Sequence, residues 1–394
     1  MPVPPDRRAF VVVLDACGVG ALPDAADYGD AGSDTLGHLA QAVGGLRLPA
    51  LQALGLGNAH PIQGVPPVEA PTAVHGRLHR SGPGKDSTTG HWELMGVVTP
   101  VPLPVYPDGF PPALLARLTA ATGHAFCANA PLDGVDAIEG FGDHHRRTGE
   151  LILYTSQDSV LQVAAHHDVL DEDALLAVCA RIRAVMDGPD AVGRVITRPF
   201  TGAGTPEEPF TRTTGRRDLS VVPPGRGALE LAQAAGVPVH AVGKAGDLFA
   251  GVGIDVRHPG ATNAVALAAT DALVDDLDAG LVLVNLVDTD QLHGHRKDAG
   301  GFAGALEEID RHVGRWAAAL RPGDLLILTA DHGVDIAADH SDHTREHVPL
   351  LALRGDASGP GPRHDGPMAD VAASVLAWLG VGEAPQTPGT PFLG

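Results

Sequence analysis

Three groups of aspartate and histidine, each at the end of an apolar run, are the residues of this chain best suited to chemistry. Asp15 closes the run 9–14 and is followed by a glycine-rich turn. Asp290-Gln-Leu-His-Gly-His295 follows the run 281–287. Asp331-His332-Gly333 follows 325–329, with Ser341-Asp342-His343 ten residues on. Carboxylates mixed with imidazoles, and no thiolate among them, suit a divalent cation such as Mn, Mg or Zn. Six such ligands would serve two ions rather than one. Between the first two groups lies Gly84-Lys85-Asp86-Ser87-Thr88-Thr89-Gly90-His91-Trp92-Glu93, which offers hydroxyls. An alcohol is a poor nucleophile near neutral pH unless a base or metal activates it. A metal pair about 3.5–4 Å apart does so and clamps both attacking and leaving oxygens. Phosphoryl transfer is the chemistry these residues point to.

The elements that must position them follow from the apolar pattern. Short continuous apolar runs read as buried parallel strands, and 9–16 is one, stopped by Gly18 and Gly20. The later third alternates: helix 227–236, strand 237–242, helix 263–277, strand 281–287, helix 302–320, strand 325–329, and a last helix 368–379. Leu306, Ile309, Val313 and Trp316 recur at helical spacing in the third of these helices. The alternation predicts an α/β fold, a mostly parallel sheet with helices on both faces. Ligands bind at the carboxyl ends of such strands. The middle differs: prolines punctuate 100–112, then come helix 112–122, strand 151–156, helix 171–185 and strand 194–199. Arg194, Arg198, Arg212, Arg216 and Arg217 gather towards its end. We read 1–101 and 221–394 as a metal-binding catalytic core and 102–220 as an inserted domain.

Each chemical residue also has a structural reading. Asp331-His332 could cap a turn, but the other two strand ends favour ligation. Asp290 and His295 are five apart and do not share an α-helical face, so a loop must fold them together. Asp288 is an alternative or supporting ligand, and His293 has no spacing that prefers it to His295. His340 and His347 read as loop histidines, and Cys17 as a small buried turn residue. Ser87, Thr88 and Thr89 could cap a helix, although Gly90 stands where a capping box needs Glu or Gln. Gly18-Val-Gly20 is no dinucleotide loop, because the third glycine position is Pro23.

The formal charge of −21 argues against nucleic acid and against anionic membrane surfaces. No apolar stretch approaches the ~20 residues of a membrane span. The N-terminal Met-Pro-Val-Pro-Pro lacks a signal-peptide core, so a cytoplasmic location is expected. Three cysteines without CxxC spacing predict neither disulfides nor a thiolate zinc site. Only Lys85, Lys244 and Lys297 carry an ammonium group, and two of them adjoin the candidate motifs.

Taken in order, several motifs resemble the bacterial phosphopentomutases of the alkaline phosphatase superfamily. They are Val13-Leu14-Asp15 to Asp24, Gly32 to His38, Gly84 to Glu93, and Tyr154-Thr-Ser-Gln-Asp-Ser-Val-Leu-Gln162. Gly193 to Phe200, Phe210 to Thr213, Gly243-Lys244, Asn285 to Asp290 with Gly294-His-Arg296, Thr329 to Gly333, and Ser341 to Glu346 continue the series. The resemblance implies an alkaline-phosphatase-like core with an inserted α+β cap domain. It implies two divalent ions, usually Mn2+, one on Asp290, His295 and His343 and the other on Asp15, Asp331 and His332. The family's phosphoacceptor is a threonine after Lys-Asp; here Ser87 holds that place, with Thr88 and Thr89 as rivals. Ala16 stands where serine is common. The implied substrate contacts are Ser156, Asp158, Val160, Arg194, Ile196, Arg212 and Lys244. The implied reaction interconverts ribose 1-phosphate and ribose 5-phosphate, with the 2-deoxy sugars, through a phosphoenzyme primed by a sugar bisphosphate. Small pentose phosphates are the implied partners, with no obligate protein partner. A metal-dependent phosphatase or phosphodiesterase, a phosphoglycerate mutase, or a non-catalytic metal-binding protein remain the alternatives.

Overall fold

The computed structural model describes residues 6–156, 159–382 and 387–393. The chain forms two compact units, Met1–Pro102 with Pro223–Gly394, and Leu103–Val222. In chain order the strands begin with β1 (Arg8–Leu14), β2 (Val74–His79), β3 (Phe126–Pro131), β4 (Leu151–Thr155) and β5 (Val160–His166). They continue with β6 (Arg194–Thr201), β7 (Thr211–Arg212), β8 (Arg217–Ser220), β9 (Val239–Val242) and β10 (Val256–His258). The last are β11 (Gly280–Leu286), β12 (Asp324–Thr329), β13 (Val348–Arg354) and β14 (Gly366–Pro367).

The first unit is built on a sheet of order β10-β9-β11-β1-β12-β13-β2-β14. The strands from β10 to β12 run parallel, as the βα alternation predicts. β1 is buried along its whole length, which explains why Arg-Ala-Phe-Val-Val-Val-Leu is an unbroken apolar run after its first residue. That exception, Arg8, donates to both carboxylate oxygens of Asp324 at the opening of β12 and pins the amino ends of two neighbouring strands. β13 is antiparallel to both β12 and β2, so this edge is mixed. No long helix separates β12 from β13, and a strand returning without a crossover must run antiparallel. The predicted helix 302–320 starts earlier, as Ala299–Ala319, because Asp298 caps it by accepting from the Gly301 N–H. Among the described residues no helix is long and apolar enough to cross a membrane.

The second unit has the sheet order β3-β4-β5-β6-β7, with β8 also paired to β6. Its two faces follow the period-two alternation of strands. Leu151, Leu153, Leu161 and Val163 share one core with residues of the helices Pro112–Thr122 and Glu172–Val185. Ile152, Tyr154, Ala164 and Phe200 form the other with Ala137 and Ile138 of helix Gly134–Thr148. Neither that helix nor β5 is expected from the apolar pattern. The helix is rich in Gly, Asp, His and Arg, and β5 is buried on both faces and shows no alternation.

Candidate active site

Strands β11, β1 and β12 are adjacent, and their register brings Leu14 opposite Leu286 and Val13 opposite Thr329. Their carboxyl ends therefore stand level, and the three Asp/His groups meet there. Ala16 takes a left-handed turn (φ +65°) after Asp15, and its N–H donates to Asp331 Oδ1 at 3.3 Å. Asp290 rides on a π-helix, Thr289–Gly294, in which the His295 N–H donates to the Asp290 carbonyl at 3.2 Å. An i→i+5 turn aligns residues five apart, the spacing that an α-helix could not use. His295 Nε2 lies 3.3 Å from Asp290 Oδ1, and His343 Nε2 lies 3.5 Å from the same oxygen and 3.2 Å from His295 Nε2. His332 Nε2 lies 3.2 Å from Asp331 Oδ2 and 3.5 Å from Asp15 Oδ1. The His332 and His343 rings stack with centroids 3.8 Å apart, so the two trios adjoin. His332 belongs to both neighbourhoods: its ligand atom is within 4.8 Å of those of Asp290 and His343, and of those of Asp15 and Asp331.

The donor set fits a pair of divalent cations. Asp15 Oδ1, Asp290 Oδ1 and Asp331 Oδ2 are buried and none has a hydrogen-bond partner. Buried carboxylate oxygens without partners are costly unless a cation neutralises them. Burial pushes the Asp15 carboxyl up, and Asp331 adds to this while Lys244, with Nζ at 3.7 Å, opposes it. Burial would raise Asp331 too, but His332 and His91 hold it well below the usual range. Asp290, likewise buried, is held well below that range by His343 and His295. Burial would lower the His332 imidazole, yet Asp331 beside it brings it up to about 10.

Ser87 opens the helix Ser87–Leu94, and its Oγ is 2.9 Å from His332 Nε2. The helix cap is Asp86, which accepts from the Thr89 N–H at 2.9 Å, and not one of the three hydroxyls. The Thr89 hydroxyl is engaged by the Asp86 carboxylate and by Arg80. Three further polar residues of these motifs, none of them a candidate ligand or nucleophile from the sequence, complete the surroundings. His91 Nδ1 stands 2.9 Å from the Ser87 carbonyl and 3.2 Å from Asp331 Oδ2. Asn285 donates to Asp15 Oδ2 at 3.0 Å and reaches His91 Nε2 at 3.1 Å. Glu346 is fully buried and accepts from the Gly20 and Thr35 N–H groups and from the Thr35 and Thr344 hydroxyls. A Cβ on Gly18 or Gly333 would come within 2.4 Å of this carboxylate, so both glycines are required by close approach. Asn285 alone carries a sequence signal, an amide inside the apolar run 281–287.

Other side chains point elsewhere. Asp288 accepts from the Asn263 N–H at 2.8 Å, and His293 pairs with Asp298. His340 pairs with Asp30, and His347 lies against the Gly20 carbonyl. Cys17 is buried with Sγ 3.7 Å from the Asp15 carbonyl. In the second unit, Val160 pairs with Arg194 and Gln162 with Ile196. Arg212 pairs with Phe200, so it shares a sheet face with Val160, Arg194 and Ile196. Ser156 follows β4, and Asp158 lies outside the described residues.

A metalloenzyme superfamily model matches residues 7–383. A phosphopentomutase of Anaeromyxobacter dehalogenans is 49% identical over 389 residues, covering 98% of each chain. One from Desulfitobacterium hafniense is 42% identical over 391 residues, 98% of this chain and 99% of its own. The chain belongs to the phosphopentomutase family. It is accordingly an enzyme, a mutase that transfers phosphoryl groups, and a member of a metal-binding superfamily. The fold is the expected α/β, alkaline-phosphatase-like one. A phosphoglycerate mutase of Leishmania mexicana shares it at a TM-score of 0.51 and 13% identity, covering 99% of both chains. The PH0037 protein of Pyrococcus horikoshii does so at 0.50 and 15%.

Proposed function

We propose that the protein interconverts α-D-ribose 1-phosphate and D-ribose 5-phosphate, and their 2-deoxy counterparts, through a phosphoserine at Ser87 and a pentose 1,5-bisphosphate. One observation carries this reading: the Ser87 hydroxyl opens a helix 2.9 Å from His332, beside three buried carboxylates that each leave an oxygen without a hydrogen bond. Asp290, His295 and His343 would hold one divalent ion, Mn2+ in this reading, and Asp15, Asp331 and His332 the other. Such a pair supplies positive charge to the transferring phosphoryl group and to the serine oxygen.

The chain's own groups do the rest. The first N–H groups of helix Ser87–Leu94 favour an anion on Ser87. Transfer breaks the Ser87 Oγ–P bond and forms a P–O bond to the free hydroxyl of the bound pentose phosphate, whose proton passes in net balance to the released Ser87 oxygen. After the bisphosphate turns over, its other phosphate returns to Ser87. Lys244, Arg194 and Arg212 bind the sugar phosphate, with Ser156, Asp158, Val160 and Ile196 around the sugar. The second unit takes the part of a cap that keeps water from the phosphoserine. A sugar bisphosphate primes the unphosphorylated enzyme, and the reading includes a cytoplasmic location.

Mass spectrometry after incubation with a sugar bisphosphate tests the reading. One phosphate should map to Ser87, and the labelled protein should convert ribose 5-phosphate to ribose 1-phosphate. A label on Thr88 or Thr89 alone would move the acceptor. Release of free phosphate faster than isomerisation would make the protein a hydrolase.

A further inference from the structure

The second unit holds a buried hydroxyl with no partner. Tyr154 Oη is inaccessible to solvent and makes no hydrogen bond, a condition that native interiors rarely leave standing. Burial pushes this phenol up, so it is a protonated donor at neutral pH. The sheet register shows what surrounds it. Tyr154 pairs with Gln162, Gln162 with Ile196, and Phe200 with Arg212. Side chains of paired residues, and of residues two apart, share a face. Arg194, Arg198 and Arg212 therefore lie on the Tyr154 face.

Among the described residues, the arginines of this face meet Asp218 and a neutral amide. Asp218 accepts two hydrogen bonds of 2.7 Å from Arg216 and stands 3.3 Å from Arg194. Arg198 donates to the Gln162 amide oxygen at 2.9 Å rather than to an acid. Asp133, the nearby acid on the helical side, caps helix Gly134–Thr148 by accepting from the Val135 N–H at 2.6 Å. All this occurs in a chain whose net charge is −21.

The opening residue of that 15-residue helix is Gly134. A Cβ placed there would lie 3.0 Å from Arg212 Nη1 and 3.0 Å from Tyr154 Oη. Both donors thus converge on the space that glycine leaves beside a helix N-terminus, where first-turn N–H groups favour anions. Its φ is not in the left-handed region, so the backbone itself does not demand glycine there.

We propose that Tyr154, Gly134 and Arg212, backed by Arg198, form the seat of a phosphate monoester group in the second unit. The inference rests on the proposed function, in which the occupant is the sugar phosphate not being transferred. It goes further by adding Tyr154 and Gly134 as specificity-determining positions and by giving the missing side chain at 134 a purpose.

Binding of ribose 5-phosphate to the metal-loaded protein, measured by calorimetry, tests it alongside isomerase kinetics. Tyr154→Phe removes one oxygen, and a hydrogen bond to a charged group corresponds to about tenfold or more in affinity. Gly134→Ala should weaken binding at least as much, with the fold retained by circular dichroism. In both variants KM should rise by a larger factor than kcat falls, with metal content unchanged. Affinities within twofold of wild type in both variants would overturn the seat, as would a wild-type protein that does not bind ribose 5-phosphate. A wild-type protein that binds this ligand, loses affinity in the variants and does not isomerise it would keep the seat and reject the mutase.

Discussion

Ser87 and its neighbours illustrate how little a single hydroxyl can do alone and how much its surroundings decide. Thr89 is held by Asp86 and Arg80, whereas Ser87 Oγ faces His332. Ser87→Ala should take up no label from a labelled sugar bisphosphate and should lose mutase activity. Ser87→Thr should keep activity, reduced several-fold to about a hundredfold, since an added methyl in a packed site costs about 1–3 kcal/mol. A second residue-scale expectation concerns the buried acids. Asp331→Ala should lower the bound metal measured by elemental analysis and abolish turnover, with the fold retained by circular dichroism. Cys17→Ala should keep both metal and activity, because the Cys17 sulfur sits against a carbonyl and not at either trio. An unchanged metal load in Asp331→Ala, or loss of an ion in Cys17→Ala, would refute the ligand assignment.

At the scale of elements, strands bring the acids level but loops must hold the histidines, and Glu346 ties those loops together. Its carboxylate joins the turn after Asp15, the start of helix Thr35–Val43, and the segment after His343, while Gly333 presses on it from the strand end that carries His332. Glu346→Ala would leave several buried donors unpaired at about 1–3 kcal/mol each, so a clear fall in melting temperature and weaker metal retention should follow. Glu346→Gln should recover much of this, because threonine hydroxyls can accept from an amide as readily as they donate to a carboxylate. The pair also makes a pH prediction. Burial pushes the Glu346 carboxyl up, against the bonds from Thr344 and Thr35. A folded-state value above the unfolded one means that ionisation opposes folding. Stability of wild type relative to the Gln variant should therefore fall as pH rises from about 4.3, the unfolded value, through the folded value. Denaturant titrations at several pH values would read it, and a difference that grows with pH would contradict the assignment.

At the scale of the molecule, the two units own separate sheets, and both core clusters of the second unit, one on each face of its sheet, contain only its own residues. The Asp/His trios proposed to hold metal lie wholly in the first. Removing metal with a chelator should therefore lower the unfolding transition of that unit and spare the other. Ions bound at about a hundred times their dissociation constant stabilise by about 2.7 kcal/mol, enough to resolve in a calorimetric scan. Equal shifts of both transitions would show that the units unfold as one.

The strand ends were legible because β1, β11 and β12 are buried on both faces and must read as continuous apolar runs, and because an acid after such a run has few structural uses. The helices between them were legible from their periodicity, to within a few residues that caps such as Asp298 decide. β13 and β2 were not, since an antiparallel return beyond the parallel strands is set by connection length and not by local pattern. Helix Gly134–Thr148 was hidden by its polar composition. Which residue types stand at which strand ends follows from chain order, because burial leaves little freedom there. Folding added that the five-residue spacing closes through a π-turn, that His332 borders both trios, and that Tyr154, Gly134 and Arg212 meet. The place of His332 and the meeting of Tyr154, Gly134 and Arg212 are contacts between separate segments, fixed by register and packing, whereas the π-turn is a local backbone choice that the residue pattern of 289–294 does not signal.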